Sequence, residues 1–471
     1  MIPMSSIPHL YVKALEKILK DVINDSFSIS NFNSYLEMME SLQASVAACV
    51  RKAIIFYFEK LDLDYCMSKE RKSKYYYSGT YQRTLVTIFG EIQFQRKYYY
   101  PKDGCSEDGF YYVDELLEFP KYDCYDMIIK SMLLEEKASN TYSEAARIVS
   151  QKVSEYSGQT ITISRQLAYQ IFSNANLDMD YITDDIQYTN DTLYILLDEK
   201  YIHTKDYYPN NTLSDQMVKH AILYTGKELE YKGRYRLKNK ITFSSTGSTL
   251  SFVEDIQRYV DLHYQNIKNV VVAGDGASWI LSFYQDFNLS YNASKFFVLD
   301  VFHTGQAICR ISRDENERIM LRDLLNNNDK KGFIAVCNNL LEKYPEKINP
   351  ITTNAEYIIK RWAYIQNSKN PLFIGCPMES HISHDLAKVF SRDPKAYSIK
   401  TIPKHIQLRD LKLNGFSIKE IYLYSKNHIH IEDYSLGTGE RIIPVNFQPL
   451  VGKNNYYALD IAYGINELKF I

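Results

Sequence analysis

The chain has no charge excess of either sign. Its 55 Lys plus Arg oppose 57 Asp plus Glu among 471 residues, a formal charge of −2. Overall electrostatics therefore neither demand nor exclude a nucleic-acid partner, and any such site has to be a local patch. Paired cysteines are missing too. The seven cysteines, at 49, 66, 105, 124, 309, 337 and 376, are odd in number, scattered and never form a CxxC pair. Neither a disulfide framework nor a Cys-based zinc module is indicated, and a reducing cytoplasm is the expected location. No window approaches eighteen apolar residues, so no membrane span is expected. The opening "MIPMSSIPHLYVKALEKILKDVI" alternates apolar and charged residues at helical spacing, where a signal peptide would need an unbroken apolar core.

What is abundant is tyrosine, 41 residues within an aromatic share of 14%. Such rings suit half-buried sheets and stacking on nucleic acid, although a compositional habit explains them equally well. The length suits two or three domains. Residues 1–66 read as a helical region, because apolar positions recur every three or four residues from about Ser30 to Leu63 in one long or two stacked amphipathic helices. Residues 67–177 read as a DNA-binding region. It opens with the basic "SKERKSKYYY" and continues into "RTLVTIFGEIQFQRKYYYP", a β-hairpin turning at Gly90-Glu91. A helix from Tyr122 to Lys137 follows. Then comes a helix-turn-helix pattern over 141–172, with Ser164 as N-cap of a second helix that begins Arg165-Gln166. An ordinary helical hairpin would show the same pattern.

After a polar, acidic linker at 178–191 the character changes to strands. "TLYILLDEK", "MVKHAILYTG" and the basic "RLKNKITFSS" are three strands, "TLSFVEDIQRYVDLHY" is a helix, "NVVVAGDGASWI" is a fourth strand and short helix, and "KFFVLDVFH" is a fifth strand. The first three pair antiparallel through short links, while the fourth and fifth need helical crossovers and parallel pairing. That order predicts an α/β core with a ribonuclease H-like mixed sheet over 190–303. A helical insertion over 304–375 and a final catalytic helix with the C-terminal region over 376–471 complete the chain.

Three acids are placed by three different elements: Asp198 ends the first strand, Asp275 follows the fourth, and Glu379 opens the helix after the insertion. In the expected sheet the first and fourth strands are neighbours, so Asp198 and Asp275 meet and Glu379 closes the site. Mg²⁺ or Mn²⁺ prefers hard oxygen ligands, and two such ions can activate a nucleophile and stabilise a leaving oxygen at a phosphodiester. Gly274 and Gly276 let the backbone bend around Asp275. Glu199 could equally be the acid that faces the sheet end. The histidines offer a rival: His381, His384 and His303, with Glu379, could form a zinc site, but no HExxH spacing is present and Asp198 and Asp275 would then have no role. These histidines are expected to support the site or touch substrate. For phosphate or base contacts the expectation falls on Arg83, Arg96, Lys97, Lys238 and Lys240, and on Ser164, Arg165 and Gln166 at the recognition-helix start.

In order along the chain, "TIFGEIQFQRKYYY", "FPKYD", "ISRQ", "LLDEKYIHTK", "GDGASWI", "LDVFHTGQAI" and "MESHISHDL" resemble the ISLre2-type bacterial insertion-sequence transposases, a group also known as an uncharacterised protein family. The resemblance spans roughly Tyr75 to Arg409 and extends in pattern to Mutator-like and IS256-type transposases. It implies a DDE-type DNA transposase with a two-metal Mg²⁺ or Mn²⁺ site at Asp198, Asp275 and Glu379. Its implied partners are double-stranded DNA, as terminal inverted repeats and target, and further copies of itself in a homodimer or higher oligomer. A catalytically inactive transposon-derived DNA-binding protein and a metal-dependent nuclease that does not transpose are the alternatives.

Overall fold

The structure is a computed structural model in which residues 34–102, 109–177, 187–205, 213–289, 292–391 and 397–423 are described, with Glu16, Lys17, Lys20 and Ser425. Most of the expected linker and the residues after 425 lie outside the described part. Most of residues 1–33 of the expected N-terminal helical region lie outside the described part; from Ser34 onward the signal is α1 (Tyr35–Met67), capped by Ser34, whose hydroxyl accepts from the Glu37 N–H at 3.2 Å. Among the described helices, α1 alone is long and apolar enough to cross a bilayer by length and composition. Its packing is that of a docked helix. Ile54, Ile55, Phe58 and Leu61 lie on the hairpin core of Leu85, Ile92 and Phe94, and Arg51 donates to the Ser157 carbonyl at 2.9 Å.

The hairpin consists of β1 (Tyr75–Thr87) and β2 (Gly90–Pro101). Its turn sits at Ile88-Phe89, two residues earlier than expected, because Thr87 Oγ1 accepts the Phe89 N–H at 3.1 Å and donates to the Gly90 carbonyl at 3.0 Å. After a short helical turn at Tyr112–Leu116 come α2 (Met127–Lys137), α3 (Tyr142–Ser157) and α4 (Arg165–Asn174), which share one core with Val149, Ile171 and Phe172 fully or nearly buried. Ser164 caps α4 as expected, its Oγ accepting from the Leu167 N–H at 3.1 Å. The α3–α4 connection, 158–164, is longer than the turn of about 3–4 residues in a DNA-binding helix-turn-helix.

The central sheet contains β3 (Thr192–Lys205) and β4 (Leu213–Tyr224). Beyond β4 the expected basic third strand divides. Gly226–Tyr231 (β5) and Arg234–Lys238 (β6) form a separate two-stranded ribbon, and only Ile241–Ser245 (β7) joins the sheet, because the left-handed Asn239 at φ 53° breaks the run. The amphipathic α5 (Thr249–His263) leads to β8 (Asn269–Gly274), and α6 (Ser278–Asp286) leads to β9 (Ser294–Leu299). The spatial order is β9-β8-β3-β4-β7. β8 is parallel to β3 and β9, while β4 is antiparallel to β3 and β7. The chain is thus a mixed α/β protein with a mixed sheet. β8 reads as an unbroken apolar run because it is covered on both faces: Val270 and Val272 meet α5 and α6, while Val271 and Ala273 meet the helix that follows Pro377.

β9 stops at Leu299, so "VFH" is not strand. Asp300 caps α7 (Val301–Ile311) by accepting the Phe302 N–H at 3.1 Å, which puts His303 in the first helical turn. With α8 (Glu315–Asn326), α9 (Lys330–Lys343) and α10 (Ile348–Lys360), α7 builds a separate helical core around Leu321, Phe333 and Ile351. The chain then returns to the sheet through α11 (Met378–Ile382), which widens into a π-helical turn over Ser383–Ala387, and α12 (Ile402–Leu413), which ties the sheet to the α2–α4 core through Leu408 and Leu411.

On α12, His405 is 5% exposed and stacked on Phe172 at 4.4 Å between ring centroids. Burial, helped by the nearby Lys137 charge, pushes its pKa down to about 2. The unfolded imidazole titrates near 6.5, so stability is complete above that pH and is lost as the pH falls below it, because only the unfolded chain takes up the proton. Between pH 7.5 and 5 this group removes about 2 kcal/mol. Urea titrations at the two pH values should show that loss in the wild type and little of it in His405→Gln; an equal acid slope in both would assign the effect to another group.

Candidate active site

Alternation along β3 sends Leu193, Ile195 and Leu197 to the α5–α6 face and Tyr194 and Leu196 to the α11 face. Asp198 continues the second set. Glu199 continues the first, where its Oε2 accepts from Trp279 Nε1 at 2.8 Å. Asp275 follows β8, the parallel neighbour of β3, and its Oδ1 accepts the Ala277 N–H at 2.8 Å. Both glycines around it are sterically required. A Cβ on Gly274 would stand 2.8 Å from the Leu197 carbonyl oxygen, and Gly276 sits at φ +76° with Arg361 Nε 2.5 Å from where a Cβ would be. The helical insertion clamps this loop: the Tyr357 hydroxyl donates to the Asp275 carbonyl at 2.7 Å, and Arg361 Nη2 donates to that of Gly276 at 2.6 Å.

Asp198, Glu379 and His303 converge, each offering a ligand atom, all within 4.8 Å of one another. Glu379 comes from α11, His303 from α7 and Asp198 from β3, so three separated segments build the group. Asp300, which sequence reasoning passed over, ends β9 beside Asp275 in the sheet order and lies 3.7 Å from His303, Oδ2 to Nε2. It was findable: "SKFFVLD" closes an apolar run on an acid in the same way as "TLYILLD" and "VVVAGD".

The group is electrostatically crowded. Burial, then the Asp275 and Glu199 carboxylates, push Asp198 up to about 7, opposed by the Glu199 N–H and by His303. Asp300 is raised by burial first, with Glu379 and Asp275 adding to it. Among the described residues no Lys or Arg forms an ion pair with Asp198, Asp275 or Glu379; the nearest side-chain nitrogen to Asp300 in this group is the His303 imidazole at 3.7 Å. Two carboxylates and an imidazole, crowded by further acids and without a cationic partner, are a donor set that a divalent cation fits.

His381 and His384 are not part of this group. His381 Nδ1 lies 3.0 Å from Lys240 Nζ, and Lys240 bonds Asp385 at 2.9 Å in a buried cluster with His220. His384 is exposed, and its carbonyl accepts from Arg409. The cations expected at DNA also divide. Arg83 is buried, its Nη1 on Asp114 at 2.7 Å and its Nη2 on the carbonyls of Pro120 and Asp123; Arg96 pairs with the same Asp114 and lies over the Tyr111 ring. Lys97 pairs with the buried Asp62 at 3.5 Å. These three, and Lys240, are paired with acids within the protein, Arg83 buried and Arg96, Lys97 and Lys240 half-buried. Ser164, Arg165, Gln166 and Lys238 are exposed.

Curated relatives come from Caldanaerobacter subterraneus subsp. tengcongensis. UPF0236 protein TTE2489 is 26% identical over 442 residues, 90% of this chain and 87% of its own length. A second, whose name joins eleven locus designations from TTE0033 to TTE2212, is 25% identical over 441 residues, 90% of this chain and 86% of its own. Among solved structures, the Drosophila P element transposase strand transfer complex matches 67% of this chain and 84% of that one at 11% identity and a TM-score of 0.25, a likeness too slight to carry an argument. The profile of the uncharacterised protein family UPF0236 matches residues 28–427, and the chain belongs to that family.

Proposed function

We propose that this protein is a DDE-type DNA transposase of the ISLre2 kind, which cleaves the terminal inverted repeats of its own insertion sequence and joins them to target DNA on a ribonuclease H-like core. The observation that carries this reading is the convergence of Asp198, Glu379 and His303 within 4.8 Å, flanked by the strand-end acids Asp275 and Asp300. The repeated locus designations of a relative support it, since an element that copies itself leaves one gene at many chromosomal places. Asp198, Asp275 and Glu379 would hold Mg²⁺ or Mn²⁺, with His303 as a further donor that favours Mn²⁺. Bound there, the cation supplies the charge neutralisation and nucleophile activation that phosphodiester cleavage needs. The protein's part is positional. The clamp from Tyr357 and Arg361 fixes the Asp275 loop, and Trp279 keeps Glu199 turned to the opposite face. The exposed start of α4 at Arg165-Gln166 contacts the DNA ends. Strand transfer holds two ends at once, so the working form is a dimer or larger, with exposed Tyr35, Leu36 and Met39 on α1 as its contact, in the bacterial cytoplasm.

The test is incubation of the purified chain with Mn²⁺ and duplexes carrying its element's ends. Nicked and then joined products are expected. Binding without nicking would leave a non-catalytic DNA-binding protein, and nicking without joining a nuclease.

A further inference from the structure

The β5–β6 ribbon pairs with no other strand among those described, and apart from the buried Leu237 its β6 strand and tip are exposed. Over residues 226–238 it carries Lys227, Lys232, Arg234, Arg236 and Lys238 against Glu228 and Glu230, a local positive excess in a chain whose net charge is −2. The pairing sorts the side chains near its root by face: Glu228 opposite Arg236, with Lys238, makes a charged face, and Leu229 opposite Tyr235 the other, while beyond a bulge Tyr231 opposes Arg234, whose guanidinium lies 5.5 Å over its ring. Leu229, Tyr231 and Tyr235 are 62%, 57% and 63% exposed. Bare aromatic and apolar surface beside cations is unfavourable in water and is the composition of a nucleic-acid platform, where rings meet bases or sugars and cations meet phosphates. A two-stranded ribbon is also narrow enough for the major groove of duplex DNA.

The ribbon's roots hold the segment that carries Glu379. Lys227 Nζ donates to the Ile374 carbonyl at 2.5 Å, five residues before Glu379, and Lys240, just past the other root, bonds Asp385 at 2.9 Å, six residues after it. The ribbon is thus anchored on the chain to either side of Glu379.

We infer that residues 226–238 form a DNA-binding arm that seats the DNA next to the cleavage site, with Lys232 and Lys238 on phosphates and Tyr235 on a base or sugar. This rests on the transposase reading and assigns a gripping element that the sequence pattern had merged into a sheet strand. Lys232 and Lys238 have no ion-pair partner among the described residues, whereas Arg234 and Arg236 pair with Glu230 and Glu228, so replacing the two lysines takes no partner from an acid.

The experiment measures anisotropy of a fluorescent duplex bearing the element's end, in EDTA, with the full chain at several salt concentrations. Lys232→Ala/Lys238→Ala should weaken binding about tenfold and flatten the slope of log K against log salt by about 1.8, since each lost phosphate contact removes about 0.9. Tyr235→Ala should weaken binding about fivefold with the slope unchanged, because stacking releases no counterions. If the wild type binds and both variants match it in affinity and slope, the arm assignment is overturned and the transposase reading stands. If the variants keep DNA affinity but light scattering shows a lost oligomer, the ribbon is a self-association surface and the assignment is likewise overturned. If the wild type binds no duplex, the transposase reading fails and takes the arm with it.

Discussion

If the protein is the transposase proposed above, Asp275→Asn should lower Mn²⁺-dependent cleavage of repeat-bearing DNA by at least about 10³-fold, a loss of roughly 4 kcal/mol of transition-state stabilisation, and should leave the protein folded and binding DNA at least as well. The substitution keeps an oxygen to accept the Ala277 N–H, and the clamp from Tyr357 and Arg361 acts on backbone carbonyls that it does not touch. What it removes is one negative charge from a crowd in which Asp275 already raises Asp198 and Asp300. Relief of that repulsion predicts a melting temperature equal to or above that of the wild type, and a weaker repulsion of DNA phosphates. Glu199→Gln serves as contrast: its carboxylate is turned to Trp279, so the loss there should be small beside that of Asp275. A nicking assay paired with a thermal melt reads both quantities. Wild-type cleavage by Asp275→Asn would remove this acid from the machinery; lost cleavage together with a collapsed melt would mean the turn had been broken.

The pairing of strands was legible because two-residue alternation and continuous apolar runs are local signals. "NVVVAG" could only be a strand covered on both faces, and a helix before and after it forced parallel neighbours. That logic brought Asp198 beside Asp275, and the structure has their strands adjacent. Strand ends were less legible, since they depend on capping. Asp300 reads as part of "VLDVFH" until its carboxylate is seen to accept the Phe302 N–H and start a helix, which turns His303 toward Asp198 and Glu379. The ribbon was missed for a similar reason: one left-handed residue, Asn239, separates two strands whose composition is continuous. The direction of long side chains was least legible. Sequence counts a cation and cannot see an acid 31 residues away, which is how Arg83 came to be expected at DNA.

Asp114→Ala should destabilise the protein by about 3–5 kcal/mol, the cost of leaving buried cations without their counter-charge. Asp114 is shared by Arg83 and Arg96, both largely enclosed, and burial already pulls the pKa of each guanidinium down. Arg83→Ala should cost less, because Arg96 still partners Asp114 and the Pro120 carbonyl keeps the Asp123 N–H, but it strands the Asp123 carbonyl that Nη2 now satisfies and uncovers Phe119. Leaving such a group unpaired costs about 1–3 kcal/mol. Urea unfolding separates the two variants by magnitude, and DNA binding separates structure from recognition. Arg83→Ala that remains folded should bind duplex with the wild-type affinity and salt slope, since a guanidinium on Asp114 has no phosphate to release counterions from. A slope that falls by about 0.9 with stability intact would return Arg83 to the DNA surface. In that case the ion pair with Asp114 would be a resting state that DNA competes for, and Asp114→Ala, by freeing both arginines, would raise DNA affinity even as it lowered stability.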